Sequence, residues 1–503
     1  MTDYQPESYE ADVPALDDLP VDIVDLLEAD TTLAAAQPLL SLVEQYFAET
    51  RTGAGSVSTW HSAEMISDRI QGPIPRSPRP LAEVARRLSS LLLPDINRLA
   101  HPMYIGHQVS APLPAAVWTD ALVSALNQSQ AVREMSPAFT PLEHQVIGWM
   151  TDLTGWDEQA GGTMTSGGTE ATLTALLTAR SRAIPEVWSQ GVGSNPPVLI
   201  CGEHAHYAVS RAAGMMGLGL SHVLVVPSEN QHMSIPHLRE ILAAQKSAGK
   251  RIMAVVATAG CTATGSFDDI DAVADLCAQF ADDNGPLWLH VDAAHGGGAL
   301  LSAAHRHRVH GIARANSVAW DPHKTMLLPL AAGMLLMRDE KLLDSAFSQT
   351  APYLFSQAEA ARSWDMGPRS FQCSRRSDVL KLWVALERYG ADGLAALYEK
   401  LCRTAHYLYE KLQGHESFHA LHEPESNILC FAWNPKDVGD DDRDELTNQL
   451  RERYNRSGRG WITATTLGGR RVLRITVMNA RTGSSHIDAL LEGLEAESRK
   501  LLR

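Results

Sequence analysis

The sequence predicts an α/β fold on a mostly parallel sheet, and three observations carry that expectation. From residue 198 on, short apolar runs alternate with helical patterns. Val198–Cys201, His222–Val226, Ile252–Ala257, Leu287–Val291, Ser317–Trp320 and Gly333–Met337 read as strands, and Ala205–Met216, Ile235–Gln245 and Ile270–Phe280 as helices among them. Such alternation implies parallel strands with helices on both faces. The polar and glycine-rich segments able to carry chemistry follow strand ends, where sheets of this kind take ligands.

The rest of the chain reads in order. Residues 1 to about 20 are acidic and proline-containing, a composition that favours disorder. Val21–Ala48 is helical in pattern, Gly72–Pro80 holds four prolines and reads as an extended connector, and Leu81–Leu92 is a further helix. His101–Ser110 is a polar loop that opens the main domain. Helices are expected over Ala115–Gln128 and from Pro141 to Leu153, with Glu143 suited to the N-terminal turn. Thr163–Ala171 is a glycine-rich stretch entering the helix Ala171–Ala183. Val379–Tyr389 is a helix stopped by Gly390. Beyond it, strands at Ile428–Trp433, Ile462–Thr465 and Val472–Val477 suggest a smaller α+β domain. The expected organisation is an N-terminal helical segment (1–100), a large α/β domain (101–390) and a small C-terminal α+β domain (391–503).

Composition narrows the function. The chain is 45% hydrophobic and 20% charged, an ordinary globular make-up, and its net charge of -16 disfavours nucleic acid or an anionic membrane as partner. Six scattered cysteines without a C-x-x-C point to a reducing, cytoplasmic setting and to no metal site. The first thirty residues carry ten acids and no Lys or Arg, so no signal peptide is expected. Nor is any apolar run near the ~20 residues a membrane span takes.

Two residues suggest the chemistry. Asp292 closes the apolar run Leu287–Val291, and Lys324 follows Ser317–Trp320 thirty-two residues later. Taken singly, the aspartate is a turn former and the lysine a solvated surface residue. Together, at the ends of two strands of one sheet, they can face a single ligand. Pyridoxal phosphate (PLP) needs that pair: an amine to bond its aldehyde and a carboxylate to keep its ring nitrogen protonated.

The segments Leu289-His290-Val291-Asp292-Ala293-Ala294 and Asp321-Pro322-His323-Lys324 resemble those of the group II PLP-dependent amino-acid decarboxylases. This family includes the glutamate, cysteine sulfinate, 2,4-diaminobutyrate and aromatic-amino-acid enzymes. The resemblance runs in order from about His101 to the C-terminus. It implies PLP fold type I (aspartate-aminotransferase-like) with a seven-stranded sheet, and a homodimer with the active site at the subunit interface. It also implies roles for single residues. Gly167, Gly168 and Thr169 would sit on the cofactor phosphate, where a plain reading gives a glycine turn with a threonine cap; exposed N–H groups at a helix start suit an anion. Ala294, Thr262 and His323 would contact the cofactor. His204, otherwise a cap or core histidine, would stack on the ring. Tyr353, in a loop from Phe347 to Trp364, matches a catalytic tyrosine on a lid. Ser110 and Gln108 fall near a substrate-contact position. Arg474, inside a half-buried strand pattern, matches a carboxylate-binding arginine, with a structural ion pair as the bland alternative.

Two departures stand out. His295 occupies a place where relatives carry Trp or Tyr, and Asp321 one where they carry Asn. The resemblance places Asp321 among the cofactor contacts, but a carboxylate repels a phosphate, so it is expected to turn away or act indirectly. The implied reaction is decarboxylation of an L-amino acid to its amine and CO2, the substrate being acidic or 2,4-diaminobutyrate. Alternatives are an aromatic substrate, or transaminase or lyase chemistry on the same fold. A nicotinamide-binding oxidoreductase is disfavoured, because no G-x-G-x-x-G follows the first strand of the alternation.

Overall fold

The computed structural model describes residues 21–347, 364–435 and 438–503. These fall into two compact units, one ending at His101 and one beginning at Pro102.

The first unit is helical: α1 (Val21–Ala29), α2 (Leu33–Thr52), α3 (Ala63–Ile70) and α4 (Leu81–Leu91). The single helical pattern read over Val21–Ala48 is broken in two. Thr32 adopts an extended backbone and its hydroxyl accepts the Ala35 N–H at 3.2 Å, so a new helix starts there.

The second unit holds two sheets. The helices relevant to its organisation are α5 (Pro114–Leu126), α6 (Phe139–Asp152), α7 (Gly168–Ala183), α8 (Ala208–Met215), α9 (Ile235–Ser247), α10 (Ile270–Gln279), α11 (Val379–Leu412), α12 (Asp440–Arg456) and α13 (Ser484–Leu501). The large sheet contains β1 (Gly161–Thr165), β2 (Val198–Gly202), β3 (Val223–Val226), β4 (Ile252–Thr258), β5 (Trp288–Asp292), β6 (Ser317–Trp320) and β7 (Gly333–Met337), in the order β1-β7-β6-β5-β4-β2-β3. Neighbours from β6 through β3 are parallel; β7 is antiparallel to both β6 and β1. The sheet is therefore mixed, with one reversed strand.

Six of these strands follow the apolar runs of the sequence. β1 does not: Gly161-Gly162-Thr163-Met164-Thr165 has no apolar run, yet every residue of it is buried. Its strand character comes from pairing with β7, in register Thr163 to Leu335. An added Cβ at Gly162 would lie 2.0 Å from the Leu335 carbonyl oxygen, so only glycine allows the approach.

Helix α7 is buried from Glu170 to Ser181, with Leu176 against the core that includes Leu199, Val256 and Trp288. Each such fully buried aliphatic side chain contributes ~1.5–3 kcal/mol. Glu143, expected as a helix-start acid, is fully buried in α6. It takes hydrogen bonds from Arg375 (2.7 Å), Gln130 (3.0 Å) and the Met164 N–H of β1 (2.9 Å). A buried carboxylate persists only when charge and hydrogen bonds are matched, and here they are.

Gly390 does interrupt the helix at the expected place. Its φ of 68° and ψ of 163° break α11, which resumes to Leu412. The small sheet is antiparallel, with β8 (Phe418–Ala420), β9 (Ile428–Trp433), β10 (Thr463–Leu467) and β11 (Arg470–Thr476) in the order β8-β9-β11-β10. Among the described residues no helix is long and apolar enough to cross a membrane.

Candidate active site

At the C-terminal ends of β4, β5 and β6 lies a cavity of about 350 Å³. Its lining combines Asp292 and Ala294 after β5, Asp321, His323 and Lys324 after β6, and Thr258, Gly260 and Thr262 after β4. Ser166, Gly167, Gly168, Thr169 and Glu170 come from the β1–α7 turn, with His206, His295 and Leu330 completing the wall.

The lysine and the two carboxylates set the electrostatics. Lys324 Nζ lies 3.0 Å from Asp321 Oδ2. Asp321 is 2% exposed, and its Oδ1 has no partner among the described residues. Asp321 does not turn away: it faces the cavity beside the glycine turn, among the residues the resemblance gives as cofactor contacts. An added Cβ at Gly168 would lie 2.8 Å from Ala294 Cβ and 3.1 Å from Asp321 Oδ2. Asp292 is buried, which pushes its carboxyl up, while the Lys324 ammonium pulls it down; its Oδ1 accepts the Ala294 N–H at 3.1 Å. His323 Nδ1 accepts the Ala332 N–H at 3.1 Å, so its proton sits on Nε2, 3.5 Å from Asp321 Oδ2.

The turn into α7 offers the first N–H groups of a sixteen-residue helix, with no side-chain cap over them. The Thr169 side of the turn is braced by Glu170, whose Oε2 accepts from Ser166 N (3.0 Å), Ser166 Oγ (2.5 Å) and Gln372 Nε2 (2.9 Å). Buried Asp268 accepts the Thr258 N–H at 2.7 Å and so holds the end of β4, where Thr258 Oγ1 has no partner.

The two histidines after β2 take different places. The structure does not bring His204 to the cavity: its Nε2 contacts Ser228 Oγ at 3.2 Å on the far side of the turn. His206 lines the cavity instead. Helix α8 begins at Ala208, not Ala205, which leaves His206 in the turn with its Nδ1 accepting the Ala208 N–H at 3.3 Å and its Nε2–H without a hydrogen-bond partner among the described residues. Burial lowers its pKa, with Asp292 pulling the other way.

Ser110 and Gln108 do not line the cavity. The Ser110 hydroxyl is spent on the carbonyls of His323 (3.0 Å) and Leu328 (3.1 Å). Gln108 has a buried Nε2 without a partner among the described residues. Arg474 is 9% exposed and has no acidic partner among the described residues. Its Nη2 donates to Thr476 Oγ1 at 3.1 Å, and its Nε is unpartnered. Like Ser110 and Gln108, Arg474 is not among the residues that line the cavity. Tyr353 lies outside the described residues.

His295 was missed as a lining residue. It is 3% exposed, and its Nε2 is 2.7 Å from Asn427 Oδ1. Asn427 donates its own amide to the Val477 carbonyl, so its oxygen accepts and His295 Nε2 carries the proton. Burial pushes His295 and the fully buried His290 of β5 down to about 3. In the unfolded chain both titrate near 6.5. Their stabilisation is therefore complete above pH 6.5 and is lost as pH falls toward 3, each at about 1.4 kcal/mol per pH unit. The urea midpoint should drop between pH 6.5 and 5, and His290→Gln should flatten that slope. A midpoint independent of pH in that interval would show that these imidazoles are not buried neutral.

The lining fits pyridoxal phosphate on chemical grounds. One amine, two buried carboxylates, an uncapped helix start against side-chain-free residues and a threonine hydroxyl without a partner among the described residues converge on one cavity. Among the described residues no cluster of His, Cys, Asp and Glu could hold a metal ion.

Comparison with known proteins bears on the same question. Residues 66–434 match the family model described as the pyridoxal-dependent decarboxylase conserved domain. Cysteine sulfinic acid decarboxylase of Mus musculus is 30% identical over 468 residues, covering 90% of this chain and 93% of the relative. The Homo sapiens protein of the same name is 33% identical over 411 residues, covering 79% and 82%. The crystal structure of mouse CSAD in apo form superposes with a TM-score of 0.85 at 28% identity, over 93% of this chain and 99% of that one. The mixed seven-stranded sheet followed by a small sheet is the fold-type-I arrangement.

Proposed function

Since the chain belongs to the pyridoxal-dependent decarboxylase family, we propose that its substrate is an acidic L-amino acid of the cysteine sulfinate class. The reaction itself is PLP-dependent decarboxylation to the amine and CO2; the transaminase and lyase alternatives give way to the family match. The observation that carries the substrate reading is Arg474. A guanidinium buried with no acidic partner among the described residues is costly unless an anion arrives. Two relatives that share most of this chain's length are named for an amino acid with an acidic side chain.

Pyridoxal phosphate, when bound, supplies a protonated pyridine ring able to accept the electron pair left as CO2 departs. Lys324 would bond its aldehyde. Asp292 would keep the proton on the ring nitrogen, because a carboxylate in a buried site favours the charged pyridine beside it. The N–H groups at Gly168 and Thr169 would take the phosphate, with Gly167 leaving room and Thr262 and Ala294 completing the wall. We assign to His206, not His204, the place over the ring: its Nε2–H has no hydrogen-bond partner among the described residues and it stands in the cavity. Arg474 would pair with the side-chain anion of the substrate.

Measuring CO2 release from a panel of amino acids tests the substrate. Cysteine sulfinate, aspartate or glutamate should lead. Charge-assisted hydrogen bonds of ~1.5–3 kcal/mol predict that Arg474→Met lowers kcat/KM for these by roughly 10- to 150-fold. The loss for a neutral amino acid should be small. Equal losses for both classes would move Arg474 away from the side chain, and release only from aromatic amino acids would end the acidic reading.

A homodimer completes the proposal. Trp118, Leu122 and Leu126 form an i, i+4, i+8 stripe on α5 and stand 44–49% exposed, and Leu330 in the cavity wall is 58% exposed. A second subunit covering these side chains would close the cavity. Sedimentation showing a fully active 54.8 kDa monomer would remove this reading. Six free thiols suit a cytoplasmic setting.

A further inference from the structure

We propose that Ser110 and Lys381 are positioning residues that suspend the loop carrying the cofactor-binding lysine, each governing a different end of it. The proposal rests on the reading that Lys324 holds the cofactor.

The loop between β6 and β7 runs from Asp321 to Ala332 and has the cavity on one side, so several of its carbonyls lack a sheet partner. Buried carbonyls need donors from elsewhere. Ser110 places its one hydroxyl hydrogen between the carbonyls of His323 and Leu328, at 3.0 and 3.1 Å. Lys381, on α11, is 0% exposed. Its ammonium reaches the carbonyls of Ala331 at 2.8 Å and Pro329 at 3.3 Å, and Asp378 Oδ1 at 2.9 Å. Two ammonium hydrogens are spent on the loop carbonyls, and Asp378 with Asp120 Oδ1, 3.6 Å away, balances the charge.

The two grips fall on different functional atoms. Ser110 holds the residue immediately before Lys324 and so sets the origin of the amine's reach. Lys381 holds both residues flanking Leu330, the exposed apolar side chain in the cavity wall. The first grip should matter for keeping the cofactor, the second for admitting the substrate.

This predicts a split that a merely structural role would not produce. Displacing a reacting or gating group by a fraction of an ångström costs about tenfold or more. Ser110→Ala should speed cofactor loss, followed by the visible absorbance of the bound form during gel filtration, by about tenfold while KM stays within about twofold. Lys381→Met should raise KM about tenfold with kcat and cofactor loss within about twofold. Lys381→Arg, which keeps the charge and donors, should recover part of that KM. Arg376 Nη2 contacts Asp120 at 2.7 Å and its Nη1 lies 3.9 Å from Asp378, so the two acids keep a cation in Lys381→Met. If that variant still fails to fold, Leu330→Ala takes its place and should reproduce the KM shift alone. Variants that melt earlier but show wild-type cofactor loss, KM and kcat would overturn the proposal. Borohydride reduction of the wild-type holoenzyme tests the underlying reading separately: an adduct on a lysine other than 324 removes the premise, whereas an adduct on Lys324 with no split removes only the suspension.

Discussion

Lys324→Ala should leave a folded protein that neither bonds the cofactor covalently nor turns over, with kcat reduced on the order of 10⁴-fold or more, the scale on which removing a covalent catalytic group acts. The lysine is the amine in the described cavity wall, 20% exposed and held 3.0 Å from Asp321. Its loss strips a buried carboxylate of its nearest cation, so the variant should also be less stable, by about 3 kcal/mol if nothing rearranges. His323 Nε2, 3.5 Å from the same oxygen, limits that cost. Borohydride reduction and peptide mapping check the assignment. A stable reduced adduct in the alanine variant would sink it.

The second large effect is expected at Asp292. Asparagine has the same shape, and its side-chain oxygen can still accept the Ala294 N–H seen at 3.1 Å. What disappears is the negative charge in a site where burial makes charge count. An amide cannot hold a proton on a pyridine nitrogen, so Asp292→Asn should lower kcat by roughly 10²–10³-fold, comparable to losing one preorganised electrostatic contact in other enzymes. Asp292→Glu should retain more activity, and substrate KM should change less than kcat in both. Near-wild-type kcat in the asparagine variant would mean that the ring nitrogen lies elsewhere.

Much of the site was legible without coordinates because strand ends are legible. The runs Leu287–Val291 and Ser317–Trp320 are apolar and short, so Asp292 and Lys324 had to emerge at the rim of a sheet. Glycines leading into a helical pattern located the anion turn in the same way. What escaped reading depends on partners far along the chain. β1 is strand only because β7, some 170 residues later, pairs with it. Glu143 looked like a helix-start acid until Arg375 met it in the core. Ser110 looked like a substrate contact, and the structure spends its hydroxyl on the loop behind Lys324. For Arg474 an ion pair and an anion site read alike from sequence; among the described residues its Nε has no partner, which supports the anion reading proposed above.

By itself, then, the sequence determined the alternation of strands and helices and the two residues at the strand ends that line one cavity, since both follow from local periodicity and from where an apolar run stops. The tertiary structure alone decided that His206 rather than His204 enters the cavity, that Asp321 turns toward Lys324, and that His295 joins the wall against Asn427. Those outcomes turn on where a helix begins its first turn and on which distant segments pack together, and no local pattern of residues encodes either.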